Sequence, residues 1–343
     1  RGLLARFEPD GSVLYKKSPD GLDYGRTHFA PDANGLTAAV VVNLLEAATY
    51  CGDKELIAEG LQKLRALNKF AYTVPRGAQT WEIPLHTPDI LASAHLVRAY
   101  TLGYALTGDK TLLDQALYWA WTGVPFVYLV NPTPKPVGLY ATIPVYGATQ
   151  WKAPNWMGLP VQWCGLVYAD ALYRLVRHDP DGPWRQIAEG ITLSGVQQCW
   201  RTDDTDLQGL LPDSFGLPHQ TRHPAAINPG TVQANVVWIA QDHGLYDFIA
   251  FRKSGILVHV PGGITEAREE KGAISFAVKP SLARPYYVLA VGFKSAPQVR
   301  IDGKEITLVE PHRYMEKEGR LILRLEGSPQ IEITPISPKQ AHE

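Results

Sequence analysis

The chain has 343 residues, 33 of them basic and 34 acidic, and a formal net charge of -1, which does not favour nucleic-acid binding because phosphate contacts need a basic surface. No apolar run approaches the ~20 residues that cross a bilayer, so no membrane-spanning segment is expected. A hydrophobic fraction of 45% in a chain of this length predicts a large buried core and two domains.

The N-terminal segment, residues 1–31, is predicted to be irregular apart from a strand, a turn and a second strand over residues 7–15. Its first six residues do not have the pattern of a signal peptide. The sequence leaves the cellular location open, with a secreted or periplasmic protein preferred over a cytoplasmic one. Three cysteines, Cys51, Cys164 and Cys199, have no metal-ligand spacing and are expected to be ordinary thiols.

Three segments share one pattern, in which an apolar helical run ends at a short Gly/Asp turn and another helical run begins. They are residues 47–56, 103–112 and 173–184. An internal repeat of this kind predicts stacked αα-hairpins. The apolar spacing predicts three helical pairs followed by a single helix. The predicted helices cover residues 32–48, 53–67, 88–102, 109–121, 158–177, 183–200 and 230–241.

From Phe248 onward the pattern changes to short β-branched or alternating runs, separated by turns such as Asp302-Gly303. These runs predict a small antiparallel β-sandwich over residues 248–337, followed by a frayed tail over 338–343. The array of helical hairpins is therefore assigned to residues 32–247. The predicted fold is mainly α with a β tail.

The predicted connections differ in length in a regular way. Turns within a hairpin are short, whereas connections between hairpins are long and cover residues 72–87, 123–157 and 201–229. Because successive helices alternate in direction, all three long connections are expected at one end of the array, together with residues 24–34. Long loops in compact domains are usually functional or disordered, and their Trp, Tyr, Asn and His content argues against disorder.

The first long connection contains an acid, an imidazole and an indole close together, at Glu82, His86 and Trp81. Asp89 follows at a predicted helix start, where a carboxylate is stabilised by the free N–H groups. Asp89 is therefore interpreted as an N-cap, and Glu82 as a candidate catalytic acid. Trp81 is a candidate sugar-binding residue, and the alternative for it is a packing role.

The second long connection mixes aromatic and amide side chains, which suit the apolar faces and hydroxyl edges of a sugar ring. An equally weighted alternative is that the tryptophans only pack between helices. The candidate sugar-binding residues of this stretch are Tyr146, Trp151, Asn155, Trp156, Gln162 and Trp163.

The third long connection contains Asp213 in an apolar context, which would raise its pKa on burial, and His219 beyond it. Glu82 and Asp213 could act as a carboxyl pair across a glycosidic bond. The acidic run at 203–206 is interpreted as a turn, although a calcium site there stays open. Arg26 and His28 are expected at the same end, where they could bind a uronic-acid carboxylate, with a structural role as the alternative for Arg26.

Residues Asn155-Trp156-Met157-Gly158 are similar to the Asn-Trp-x-Gly run that opens an inner helix in several toroid glycosidases. Together with the hairpin repeat and the β tail, they make residues 24–337 resemble the six-hairpin glycosidases and polysaccharide lyases, which are built on an (α/α) toroid. No single family is indicated. A complete toroid has twelve helices, so the seven predicted here imply a partial toroid or the C-terminal portion of a longer protein.

The resemblance implies a glycoside hydrolase in which Glu82 is the general acid and Asp213 is the base. The alternative is a lyase that uses Tyr146 or His86 as base or acid, with Asn155 and Arg26 neutralising a uronate. A non-catalytic glycan-binding protein is the third hypothesis. Each predicts a carbohydrate partner, with neither nucleic acid nor membrane, and no cofactor or metal. The oligomeric state stays open.

Overall fold

The computed structural model describes residues 1–16, 31–79, 83, 85–146, 158–227 and 229–336. The chain divides into two compact units. The helical unit comprises Arg1–Leu44, Glu59–Tyr104 and Gly108–Val236. The sandwich unit comprises Leu45–Ala58, Ala105–Thr107 and Val237–Glu343.

All seven predicted helices are found, as α1 Asn34–Cys51, α2 Lys54–Ala66, α3 Ile90–Thr107, α4 Lys110–Gly123, α5 Gln162–Val176, α6 Trp184–Gln198 and α7 Gly230–Gln241. The predicted Gly/Asp turns separate the members of each pair. At the α3–α4 turn, Gly108 takes the left-handed conformation (φ 73°), which a glycine adopts without steric strain. Asp109 then caps α4 by accepting a hydrogen bond from the main-chain nitrogen of Thr111.

The pattern of burial differs between the two helices of the pair α3 and α4. Five consecutive residues of α3, Ile90–Ala94, are buried, and at about 100° per residue they cover the whole circumference of the helix. In α4, by contrast, the buried residues Leu112, Ala116, Trp119 and Ala120 follow helical spacing and form one stripe. The first helix of this pair is therefore an inner helix and the second an outer one.

The connection predicted as a loop over 201–229 contains a β-hairpin, so that prediction is wrong. Strands β1 (Leu211–Gly216) and β2 (Thr221–Ile227) pair antiparallel, with a register irregularity between Pro212 and Ser214. Each strand contains a proline, which cannot donate to the ladder and disfavours a strand assignment from sequence. The irregularity accommodates these prolines next to Asp213.

The strand–turn–strand prediction for residues 7–15 is also wrong. A turn is present, since Gly11 N donates to the Glu8 carbonyl, but among the described residues this segment has only one ladder contact, an isolated bridge between Leu14 and Asp32. Two main-chain nitrogens of this segment, those of Ser12 and Val13, donate to side chains instead of to a neighbouring strand. Asp10 accepts from Ser12 N, and the Thr37 hydroxyl accepts from Val13 N.

The predicted antiparallel sandwich is confirmed as two five-stranded sheets, whose strands lie between Asp247 and Thr334. The first has the order β10-β11-β7-β4-β3 and the second the order β5-β6-β12-β8-β9. Alternating residues such as Ile274, Phe276 and Val278 of β6 face the core between them. The strands are β3 Asp247–Phe251, β4 Ile256–Val260, β5 Gly262–Glu270, β6 Ala273–Pro280, β7 Tyr286–Val291, β8 Gln298–Ile301, β9 Lys304–Ile306, β10 Arg313–Met315, β11 Arg320–Leu325 and β12 Gln330–Thr334.

Among the described residues, no helix has the length and apolarity needed to cross a bilayer.

Candidate active site

Main-chain hydrogen bonds join the long connections to one another within the helical unit. Ile90 N donates to the Pro144 carbonyl at 3.1 Å, and Tyr146 N donates to the Pro88 carbonyl at 3.1 Å. These bonds join the start of α3 to the connection between α4 and α5. The predicted clustering of the long connections is confirmed for these two.

The same network continues to the start of α1 and to the β1–β2 hairpin. Gly35 N donates to the Arg76 carbonyl at 2.9 Å, which ties the first connection to α1. On the other side, Phe215 N of β1 donates to the Pro160 carbonyl, just before α5, at 2.9 Å. The helix starts of α1, α3 and α5 and the hairpin therefore share one end of the helical unit.

Asp89 anchors the first connection, as the N-cap prediction requires. Its fully buried carboxylate accepts from Ala92 N at 2.8 Å and from Ala78 N at 3.0 Å. Burial raises the pKa of Asp89 to about 6, although these hydrogen bonds act in the opposite direction. Gln79 next to it donates to the Pro144 carbonyl at 2.8 Å. The chain leading to Trp81 and Glu82 is thus held from two sides.

Gln162 does not face a substrate, and its predicted sugar-binding role is corrected. Its side chain is 1% exposed. Its amide nitrogen donates to the carbonyls of Tyr140 and Ile191, and its amide oxygen accepts from Thr142 N and from the Gln198 amide. Every hydrogen-bonding group of the amide is used inside the protein, so Gln162 joins the second connection to α5 and α6.

Asp213 lies half-buried on β1, where it interacts with the side chain of Trp163 at the start of α5. Burial raises the pKa of Asp213, and the Trp163 interaction lowers it by a smaller amount. The direction of this pKa shift is the one predicted from the apolar context of Asp213 in the sequence. The structure brings together these two predicted site residues, which are fifty positions apart in sequence.

Tyr146 is 59% exposed at the same end of the unit and stands edge-on to Phe126, with ring centroids 5.9 Å apart. Next to it, Tyr128 donates its hydroxyl to the Gly158 carbonyl at 2.9 Å. Burial, and then the neighbouring Tyr146, raise the pKa of Tyr128. The sequence analysis missed Tyr128, although it begins the same aromatic connection.

His86 is exposed on the first connection, and His219 is exposed in the turn between β1 and β2. Asp204, in the acidic run, accepts from Asp206 N and Leu207 N, so it forms the predicted turn. Within the described ranges, no group of three or more His, Cys, Asp or Glu side chains is arranged to hold a metal ion.

Several predicted site residues lie outside the described residues, so the structure does not place them. They are Arg26, His28, Trp81, Glu82, Trp151, Asn155 and Trp156.

No protein-family model matches the sequence, and no curated protein matches it. The chain is similar to solved structures of six-hairpin glycosidase-fold enzymes, without a single family being assigned. One is a GH76 alpha-mannanase from Bacteroides thetaiotaomicron, with 13% identity, a TM-score of 0.42, and coverage of 59% of this chain and 56% of that one.

A second is the unsaturated glucuronyl hydrolase from Bacillus sp. GL1, with 12% identity, a TM-score of 0.42, and coverage of 70% of this chain and 66% of that one. A third is a GH127 beta-L-arabinofuranosidase from Geobacillus stearothermophilus T6, with 11% identity, a TM-score of 0.36, and coverage of 88% and 54%. The chain thus spans between 54% and 66% of the length of these three proteins. These similar structures are enzymes that act on carbohydrates.

Proposed function

We propose that this protein is a glycoside hydrolase whose reaction takes place at the end of the helical unit where the long connections meet. The observation that carries the proposal is the half-buried Asp213 carboxyl, with its raised pKa, next to the indole of Trp163. A carboxyl beside an aromatic surface, at the end where loops from three hairpins meet, is a combination suited to a sugar ring and its glycosidic bond.

Asp213 is assigned as the general base that activates water. Desolvation makes a carboxylate more basic, and a base is most effective when its pKa approaches the working pH. The interaction with Trp163 favours the ionised form, which keeps the carboxylate available to accept a proton. The burial and the indole therefore act together to give a basic, ionised group.

Glu82 is assigned as the general acid that protonates the leaving group. This assignment rests on the anchored stem of its connection. The Asp89 carboxylate accepts a hydrogen bond from Ala78 N, and the Gln79 side chain donates one to the Pro144 carbonyl of the neighbouring connection. The chain that precedes Glu82 is therefore fixed to the same end of the unit as Tyr146, which is two residues after Pro144.

Tyr146 supplies an exposed aromatic face for the apolar side of a sugar ring. Its ring is supported from behind by the buried Phe126. An aromatic side chain fixed in this way binds with little loss of conformational freedom. The substrate class is therefore an oligo- or polysaccharide.

The test compares wild type with Asp213→Asn and Glu82→Gln on a panel of aryl glycosides and on polysaccharides, with reducing-sugar release as the readout. We expect each variant to lose about 10²- to 10⁴-fold in rate, the usual contribution of general acid–base catalysis. Glu82→Gln should recover activity on substrates with a good leaving group, whereas Asp213→Asn should not. Asp181→Asn, in the exposed turn between α5 and α6, is the control.

The polysaccharide arm is also followed by ultraviolet absorbance of a new C=C bond, which only a lyase produces. Absorbance that depends on Tyr146 or His86 would replace the hydrolase proposal with the lyase. Full activity of Asp213→Asn on every cleaved substrate would refute the role of Asp213. Binding of glycans by a wild-type protein that releases no product from any of them would favour a non-catalytic protein.

A further inference from the structure

A second concave site lies in the helical unit, between the C-terminal end of α6 and the β1–β2 hairpin. Two adjacent cavities, of about 520 Å³ and about 470 Å³, share the same three side chains, Trp200, Arg201 and Arg222. We refer to the two cavities together as the Trp200 cleft. None of the residues assigned to catalysis lines it.

The two halves of the Trp200 cleft differ in chemistry. One half has an apolar wall that includes Pro136, Val137 and Val196. The other half is polar and is lined by the side chains of Asp203, Asp204 and Thr205, together with the two arginines. An apolar wall that continues into paired donors and acceptors matches a sugar ring, which presents C–H faces and hydroxyl edges.

The formal charges in the cleft cancel, since two guanidinium groups and two carboxylates line it. Burial and the neighbouring Arg201 lower the pKa of Arg222, and Asp203 acts in the opposite direction by a smaller amount. A balanced set of this kind donates and accepts hydrogen bonds without favouring an ion. The cleft chemistry therefore fits a neutral saccharide better than a phosphate, a sulfate or a uronate.

The main chain at Trp200 and the side chain of Arg222 are fixed before any ligand binds. Trp200 is held on both sides of its peptide, because Trp200 N donates to the Leu210 carbonyl and Gly209 N donates to the Trp200 carbonyl, each at 3.0 Å. Arg222 donates to the carbonyls of Gln198 and Cys199 at 2.9 and 2.8 Å, and its guanidinium lies 5.6 Å from the Phe215 ring centre. Pre-organised groups of this kind lose little entropy on binding.

We propose that the Trp200 cleft is a second saccharide-binding site, which binds a neutral segment of the glycan with Trp200 as the platform. Arg201, Arg222, Asp203 and Asp204 provide the hydrogen bonds to its hydroxyl groups. This second site depends on the proposed function only for the choice of a saccharide as its ligand. It adds a site that holds the glycan chain away from the reacting bond.

Affinity gel electrophoresis provides the test, with soluble mannan, xylan, arabinan and hydroxyethyl cellulose as neutral probes and polygalacturonate as the acidic probe. All proteins carry Asp213→Asn, so that no probe is degraded during the run. We expect at least one neutral probe to retard the protein, and Trp200→Ala to weaken that retardation at least fivefold. Trp200→Phe should keep most of it, because it preserves an aromatic face.

Trp121→Ala is the matched control, because Trp121 is a 55% exposed tryptophan on α4 and is absent from the lining of the cleft. Arg201→Ala should also weaken retardation, judged against its own mobility in gels without glycan. Retardation of a neutral probe should change less than twofold between 0.05 and 0.5 M salt, since no net charge is neutralised.

Three results would overturn the proposal. These are no retardation by any neutral probe, equal retardation of the Trp200→Ala and Trp121→Ala proteins, or retardation by polygalacturonate alone that salt abolishes. The outcome is separate from that of the hydrolase test. If retardation depends on Trp200 but the wild-type protein has no turnover, the cleft proposal is supported and the hydrolase proposal is refuted. If there is turnover but no retardation that depends on Trp200, the hydrolase proposal is supported and the cleft proposal is refuted.

Discussion

The buried carboxylate of Asp89 accepts a hydrogen bond from the main-chain nitrogen of Ala78, at 3.0 Å, across eleven positions of sequence. The same carboxylate caps α3 through Ala92 N. One side chain thus fixes both the helix start and the chain that leads to Glu82. The stability of this arrangement and the geometry of the candidate site are therefore linked.

Asp89 is expected to make the free energy of unfolding fall as the pH rises. The pKa of Asp89 is raised by burial to about 6, so the folded protein binds more protons than the unfolded one between about pH 4 and pH 6. Stability from this group is present at low pH and lost as the pH rises through 6. Between pH 4 and pH 7.5 we expect Asp89→Asn to gain on the order of 2 to 3 kcal/mol in free energy of unfolding relative to wild type.

Urea denaturation of both proteins at several pH values measures this difference. Asp109→Asn, which replaces the carboxylate at the N-cap of α4 with an amide that can still cap the helix, serves as the control and should not reproduce the gain. A difference between wild type and Asp89→Asn that is constant with pH would contradict the raised pKa.

His259 in the sandwich unit should show the opposite pH dependence. Its Nε2 donates to the Thr49 carbonyl at 3.1 Å, since a carbonyl only accepts, and its Nδ1 therefore accepts from the Tyr246 hydroxyl at 2.7 Å. Burial lowers the pKa of His259 to about 4. Stability from this group is complete above about pH 6.5, the ordinary pKa, and is lost as the pH falls toward 4.

We expect His259→Gln to be destabilised at pH 7.5 but to lose less stability than wild type between pH 7 and pH 4.5. Thermal unfolding over that range checks the difference in slope. His312→Gln is the control, because His312 also lies in the sandwich unit but is only partly buried. Parallel curves for wild type and His259→Gln would show that this imidazole does not titrate as the structure requires.

Gln162 gives a prediction about structure instead of binding. Gln162→Leu keeps a similar volume but leaves several groups without partners, among them Thr142 N and the Tyr140 carbonyl. Each unsatisfied buried group costs about 1–3 kcal/mol, so we expect a loss of at least about 3 kcal/mol in free energy of unfolding. Gln233→Leu, at an exposed position of α7, should change stability by less than about 0.5 kcal/mol. Equal stability of the two variants would refute the structural role.

Trp163 gives a prediction about the pH profile of the proposed hydrolase. The Trp163 interaction lowers the pKa of Asp213, so its removal in Trp163→Phe should raise that pKa further. If Asp213 is the base, the acid limb of the kcat/KM profile moves to higher pH. Movement of the alkaline limb instead would identify Asp213 as the general acid. A lower rate without any shift in the profile would indicate that Trp163 acts only by packing.

Tyr146 gives a prediction about substrate affinity. Tyr146→Ala removes an exposed aromatic face, whereas Tyr146→Phe preserves it. We expect Tyr146→Ala to raise KM by about tenfold with a smaller effect on kcat, since one stacking contact is worth about 1–3 kcal/mol. Tyr146→Phe should stay close to wild type. Loss of kcat in both variants would favour a catalytic hydroxyl, as the lyase alternative requires.

The sequence by itself determined the helices, their short turns, the sandwich and the end of the helical unit where the long connections meet. These features depend on local signals: apolar spacing of 3.6 or 2 residues, Gly/Asp turn chemistry and connection length. The N-cap role of Asp89 was predicted in the same way. The hairpin at Leu211–Ile227 was not, because Pro212 and Pro224 contradict the local strand pattern.

The tertiary structure alone decided which polar side chains face outward and which hold the protein together. Gln162 and Trp163 are adjacent in sequence and were predicted to have the same role. Successive residues of a helix point about 100° apart, so one is buried in a network of main-chain groups while the other meets Asp213. That division depends on which connection packs against each face of α5, and these connections are distant in sequence.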